Sequence, residues 1–360
     1  MAVTESETLD RAVAFLREVV RPDANAMDED PEALRPALAA MGERKLMALR
    51  LPAEYGGPEL PEPLFRAYQE EAARASGAFA FLQTQHQSAV SMIAKGGSEE
   101  FRAKYLPGMD DGSRTIGIGF SQLRRSGPPA LSATRASGGY RLNGMAPWVT
   151  GHTFFKEFLV GASLPDGEAV FGVVPFENRE ENGGAIVCKG PMRLAAMEAA
   201  LTMVVEFKDW LLPDEAVGFV KPQGWIQNND MINVSLQASF AIGCARAGLD
   251  LVLEAYEKKG MPFLKEAWDA LDAEHWACKA LADNQELPRE DRLRARVWAI
   301  DMAARCGHAA VAAHSGQAAG KKHAAQRVYR EAMVFTVSAQ TADVMEGTLR
   351  RLVARGGEPA

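Results

Sequence analysis

Apolar residues recur at helical spacing over the first hundred positions: Leu9, Val13, Leu16 and Val20 make one stripe, and Leu34, Leu38 and Met41 another, with Pro22 and Pro31 as breaks. Turn formers crowd residues 50–58, and residues 79–94 are apolar enough to predict a buried helix. Near Ser113 the pattern shortens to alternating or β-branched runs at 115–120, 131–136, 140–143, 148–150, 158–162, 169–174, 184–188 and 203–207. Turn signals at close intervals between them predict a small antiparallel barrel or sandwich. Asn143-Gly144 falls between two such runs and predicts a hairpin turn. After Pro222 helical periodicity returns over 233–258, 291–313 and 325–355, with breaks near Asp283 and Pro288. The order predicts an α+β multidomain chain: an N-terminal α-helical domain (1–113), a middle β domain (114–222) and a C-terminal helical bundle of four-helix type (223–360).

Size and composition agree with several packed units, since 360 residues at 47% apolar content exceed what one marginal core needs. A formal charge of -7, from 40 basic and 47 acidic residues mixed along the chain, leaves no basic face for nucleic acid and no polybasic run for anionic lipid. The polar, acidic start and the absence of a long apolar run predict a cytoplasmic protein without membrane insertion. Cys188, Cys244, Cys278 and Cys306 are far apart and outside any ligand spacing, so buried free thiols are expected. The six histidines form no metal-binding pattern, and no metal site is predicted.

The most informative stretch is residues 138–150, ending in Trp148-Val149-Thr150. It reads as strand, turn and strand, with a ring and a hydroxyl two positions apart on one side. This stretch resembles the flavin-facing segment of the acyl-CoA dehydrogenase family. Leu51-Pro-Ala-Glu-Tyr-Gly-Gly57, Gly97-Ser-Glu-Glu-Phe-Arg-Ala-Lys-Tyr-Leu-Pro107 and Val204-Val-Glu-Phe-Lys-Asp-Trp-Leu-Leu-Pro213 are similar to family landmarks in the same order. The resemblance implies an FAD cofactor, an acyl-CoA or other acyl thioester as substrate, and a homodimer or homotetramer whose subunits share each flavin. Ala-rich faces at 243–253 and 303–313 suit close helix packing. The implied cofactor-binding residues are Phe120, Ser121, Trp148, Val149, Thr150, Lys259, Gly316 and Thr341.

Several family positions carry other residues. The Gly-rich loop expected after Phe120 and Ser121 reads Arg124-Arg-Ser-Gly-Pro-Pro129, whose prolines lack backbone donors and whose arginines could supply charge instead. Lys259 stands for an arginine at the pyrophosphate, and Ala312 and Ser315 stand for the Gln and first Gly of a Gln-x-x-Gly-Gly turn ending at Gly316. The family's catalytic carboxylate falls on Ala339 when Gln326-Arg-Val-Tyr-Arg-Glu-Ala332 is aligned without gaps. A gapped alignment offers Glu346, seven positions on, or about two helical turns. Asp230, read as a helix N-cap or first-turn residue, is another candidate for taking a proton from the substrate. Three readings follow: an acyl thioester oxidoreductase passing hydride to flavin N5 with a relocated base, a flavin-dependent monooxygenase on the same fold, or a non-catalytic member binding acyl groups or protein.

Overall fold

The computed structural model describes residues 4–354, so Arg355, the expected end of the last helix, lies outside the described residues. Six helices come first: α1 (Glu5–Phe15), α2 (Ala26–Glu29), α3 (Pro31–Glu43), α4 (Glu62–Ala75), α5 (Gly77–Gly96) and α6 (Glu99–Tyr105). Thr4 caps α1 through a reciprocal bond with Glu7, while Ser76 and Ser98 cap α5 and α6. As its composition predicts, α5 is buried along most of its length, with Phe79, Leu82, Val90 and Ile93 wholly inside.

The centre is one nine-stranded sheet: β1 (Ile116–Gly119), β2 (Leu131–Ala136), β3 (Gly139–Val149), β4 (Glu157–Ser163), β5 (Ala169–Pro175), β6 (Arg179–Glu181), β7 (Gly184–Lys189), β8 (Met203–Pro213) and β9 (Val217–Lys221). Its order is β6-β7-β8-β3-β2-β4-β5-β9, and β1 pairs with β4. Most pairs are antiparallel, but β1 and β2 both run parallel to β4, which makes the sheet mixed.

The Asn143-Gly144 hairpin is not formed. β3 runs through both residues, and the turn from β2 falls at Ser137-Gly138 instead. Gly144 has φ +121°, and a Cβ there would lie 2.2 Å from the Ala130 carbonyl oxygen, so this glycine serves a close approach within the sheet. Asn143 accepts a bond from the Asp209 amide at 2.9 Å, where the register with β8 shifts between Leu142 and Gly144.

Six helices complete the chain: α7 (Trp225–Ile232), α8 (Ala238–Lys259), α9 (Pro262–Asp283), α10 (Arg289–His314), α11 (Ala324–Val337) and α12 (Ala342–Ala354). The helix expected over 233–258 begins only at Ala238, because a turn over 233–237 intervenes. The periodicity expected over 325–355 is likewise split, with Ala339 at φ +46° in the break. The Ala-rich faces pack closely: a Cβ on Gly248 of α8 would come within 2.6 Å of the Cys306 backbone on α10, and one on Gly243 within 2.0 Å of the Glu70 carbonyl on α4. Three of the four cysteines are buried and all four are free.

His86 ties the buried helix to the sheet. Its ring lies 3.1 Å from the Ile116 amide on β1 and 2.9 Å from the Met109 carbonyl, with no exposure. Burial lowers its pKa from the ordinary value, against the opposing pull of the two backbone partners. A lowered folded-state pKa means that the unfolded chain takes up the proton first. The contribution to stability is present above the ordinary histidine range and is lost as pH falls through it. Thermal melts between neutral and mildly acidic pH should therefore show a steeper loss of midpoint for the wild type than for His86→Gln; equal slopes would contradict this role.

Candidate functional site

β3 delivers Trp148 to the surface and turns inward immediately after it. A second register shift against β8, between Ala146 and Val149, breaks the two-residue alternation. Met145 and Trp148, three positions apart, are consequently both open, at 44% and 48% exposure. Val149 is fully buried, and Thr150, one residue beyond the strand, is buried with its Oγ1 2.9 Å from Thr202 Oγ1. Gly151, at φ +100°, bends the chain so that its amide bonds the Ala200 carbonyl at 2.9 Å. The indole is therefore open while the hydroxyl faces inward to Thr202, so the two do not share one side as their spacing predicts, because the register shift breaks the alternation.

Phe120 and Ser121 leave β1 into a short 3-10 turn, Ser121–Arg124. Phe120 packs edge-on against Phe171 and Trp225 at 5.6 and 6.5 Å, inside an aromatic cluster. Gln122 closes the turn by donating to the Gly119 and Gly161 carbonyls at 3.2 and 2.8 Å. Its Oε1 and the Ser121 hydroxyl are buried without a hydrogen-bond partner, and such atoms normally find one in a ligand or water. Arg124 reaches from this turn to α7, holding Asp230 through two bonds of 2.7 and 2.8 Å. Asp230 lies in the last turn of α7, not at its N-terminus as its sequence setting suggests.

Arg296 of α10 has no counterpart among the residues the sequence points to. Only 4% exposed, its guanidinium donates to the carbonyls of Ser338 and Ala339 at 2.8 and 3.0 Å and of Val234 at 3.3 Å. Burial lowers its pKa to about 10, with nearby Asp230 opposing and Arg124 reinforcing the shift. One side chain therefore joins the turn before α8 to the left-handed turn containing Ala339, within electrostatic reach of the Arg124–Asp230 pair. The usable sequence signal is its spacing from Ala299 and Ala303, which puts an arginine on the buried face of α10.

The remaining predicted residues are elsewhere. Thr341 precedes α12 and accepts from the Val344 amide at 3.4 Å. Glu346 lies on the open side of α12, where it pairs with Arg350 one turn on at 2.6 Å, 62% of its side chain being exposed. At the end of the bundle Lys259 and Gly316 do come together, because Lys259 Nζ donates to the Ala313 carbonyl and to Ser315 Oγ, the latter at 3.4 Å. Among the described residues no cluster of three His, Cys, Asp or Glu could hold a metal, and no helix is long and apolar enough to cross a membrane.

Comparison with known proteins places this fold. The family model "Acyl-CoA dehydrogenase, N-terminal domain" matches residues 4–113. A 2-methylacyl-CoA dehydrogenase of Solanum tuberosum is 24% identical, with 97% of this chain and 89% of that protein covered. The butyryl-CoA dehydrogenase structure of Megasphaera elsdenii superposes with TM-score 0.78 at 19% identity, covering 98% of this chain and 99% of the other. The FAD complex of PigA does so with TM-score 0.79 at 17% identity, covering 99% of both. Residues 4–113 thus match the N-terminal domain of the acyl-CoA dehydrogenases, and the whole chain shares their fold and is similar in sequence to flavin-dependent oxidoreductases of acyl-CoA type.

The geometry around Arg296 gives a stability prediction. Arg296→Met removes the donors to one buried and two partly buried carbonyls and should cost about 2–3 kcal/mol, read as a lower denaturant midpoint, while Arg296→Lys should restore part of it. A Met variant as stable as wild type would show that these carbonyls find other partners.

Proposed function

We propose that the protein is an FAD-dependent oxidoreductase acting on an acyl thioester, with the flavin ring seated on Trp148. The observation that carries this reading is the half-exposed indole at the end of β3, two residues before the inward Thr150 hydroxyl, in a chain similar to this family. A flat ring needs an apolar wall and nearby donors. Trp148 supplies the wall, and Thr150 and the unpartnered Ser121 hydroxyl supply groups able to donate, so the residues present fit the ring of a flavin. Bound flavin would supply a two-electron acceptor for hydride leaving the β carbon of the acyl group.

The α proton needs a base. Ala339 cannot take it, and Glu346 is solvated and paired with Arg350. Asp230 is better placed: it is largely buried, and Arg296 links its surroundings to the Ala339 turn. We assign proton acceptance to Asp230, which Arg124 must release before either oxygen is available. The clamped pair also favours a second reading, in which flavin and dioxygen carry out a hydroxylation that needs no thioester base. For assembly, Tyr329, Met333 and Val337 of α11 and Met345 and Leu349 of α12 are exposed apolar residues at helical spacing. They suit burial against another subunit of a homodimer or homotetramer.

Anaerobic addition of acyl-CoA thioesters should bleach the flavin band of the wild type. Asp230→Asn should lower that rate at least a hundredfold with flavin retained, while Glu346→Gln should leave it unchanged. Bleaching lost in Glu346→Gln but kept in Asp230→Asn would reverse the assignment.

A further inference from the structure

Of the three cations that the sequence places near a dinucleotide's phosphates, Arg125 is exposed, and Lys259 and Arg124 are already in use. Lys259, at the C-terminal end of α8, donates to the Ala313 carbonyl in the last turn of α10 and to Ser315 Oγ. A lysine there satisfies a carbonyl that the helix end leaves without an internal partner and favours the negative end of the helix dipole. Lys259 thus acts as a cap that joins α8 to α10. Arg124 commits its fork to both oxygens of Asp230. Backbone donors are also reduced, since Pro128 and Pro129 have no amide N–H. Ser315, at φ +56°, takes a left-handed φ where the resemblance implies glycine, and its hydroxyl oxygen accepts from Lys259. Gly316 faces open space: a methyl group in place of its α hydrogen would meet nothing within 4 Å, so no close approach within this chain requires a glycine there.

Resting on the flavin reading above, we infer that this chain grips a flavin by its ring and does not select for the adenylate half. The ligand class is the isoalloxazine itself, so riboflavin, FMN and FAD should be held about equally, and the flavin should exchange with a free pool. The wall and hydroxyls at Trp148, Thr150 and Ser121 supply the affinity. The Lys259–Ser315 corner supplies bundle stability.

Equilibrium binding of riboflavin, FMN and FAD to the flavin-free full chain, followed by fluorescence quenching, tests this without any turnover. The inference expects the three dissociation constants to agree within about tenfold. It also expects Lys259→Met to lower the melting midpoint while FAD affinity stays within about twofold. FAD binding a hundredfold tighter than riboflavin would overturn it. So would a Lys259→Met variant that loses FAD affinity but keeps riboflavin affinity. If none of the three binds, the flavin reading falls, and this inference with it.

Discussion

The site depends on one buried charge. Removing a guanidinium from water is costly unless its donors find acceptors, and Arg296 offsets that cost with three backbone carbonyls from two separate turns. Neither turn is part of a regular element, so neither has a helix or sheet ladder to fix it. The position of the chain at Ala339 and the start of α8 are consequently set together. Asp230, between Arg124 and Arg296, adds the electrostatic link to the turn after β1. The central sheet and the C-terminal helices are thereby joined around the residues of the proposed site.

The same cluster shows how the chain differs from the pattern it resembles. Ala339 has a left-handed φ, which costs a side-chain-bearing residue some strain. Arg296 compensates by bonding the Ala339 carbonyl. The turn is therefore built and held, yet it presents a methyl group where the resemblance implies a carboxylate. Chemistry belongs to sites and not to folds, so in the proposed function the reaction type rests on Asp230 and its partner and not on the architecture.

Much of the architecture was legible because it rests on periodicity. The buried α5 and the Ala-rich faces of α8 and α10 follow from residue spacing, and the strand at Leu131–Ala136 was delimited correctly by its flanking turns. What failed was local turn chemistry overruled by distant contacts. Asn143-Gly144 is a strong hairpin signal, but the glycine was needed where Ala130 approaches β3, a constraint invisible to any short window of sequence. The uninterrupted pattern over 325–355 hid the break at Ala339, because the arginine that holds it is remote in the chain, on α10. For the site, the sequence put forward Trp148 and Thr150 for the cofactor and Glu346 or Asp230 for the base. It could not show that Phe120 faces an aromatic core, that Glu346 is solvated, or that Lys259 is spent on a helix end.

The central claim is that the exposed indole of Trp148 is the wall of a flavin site. The most direct measurement is a crystal structure of the protein soaked with flavin. The account predicts density for the isoalloxazine ring stacked near Trp148, with ring heteroatoms in hydrogen-bond reach of the Thr150 or Ser121 hydroxyl. A ring bound elsewhere, or Trp148 covered by another subunit with no flavin present, would contradict it.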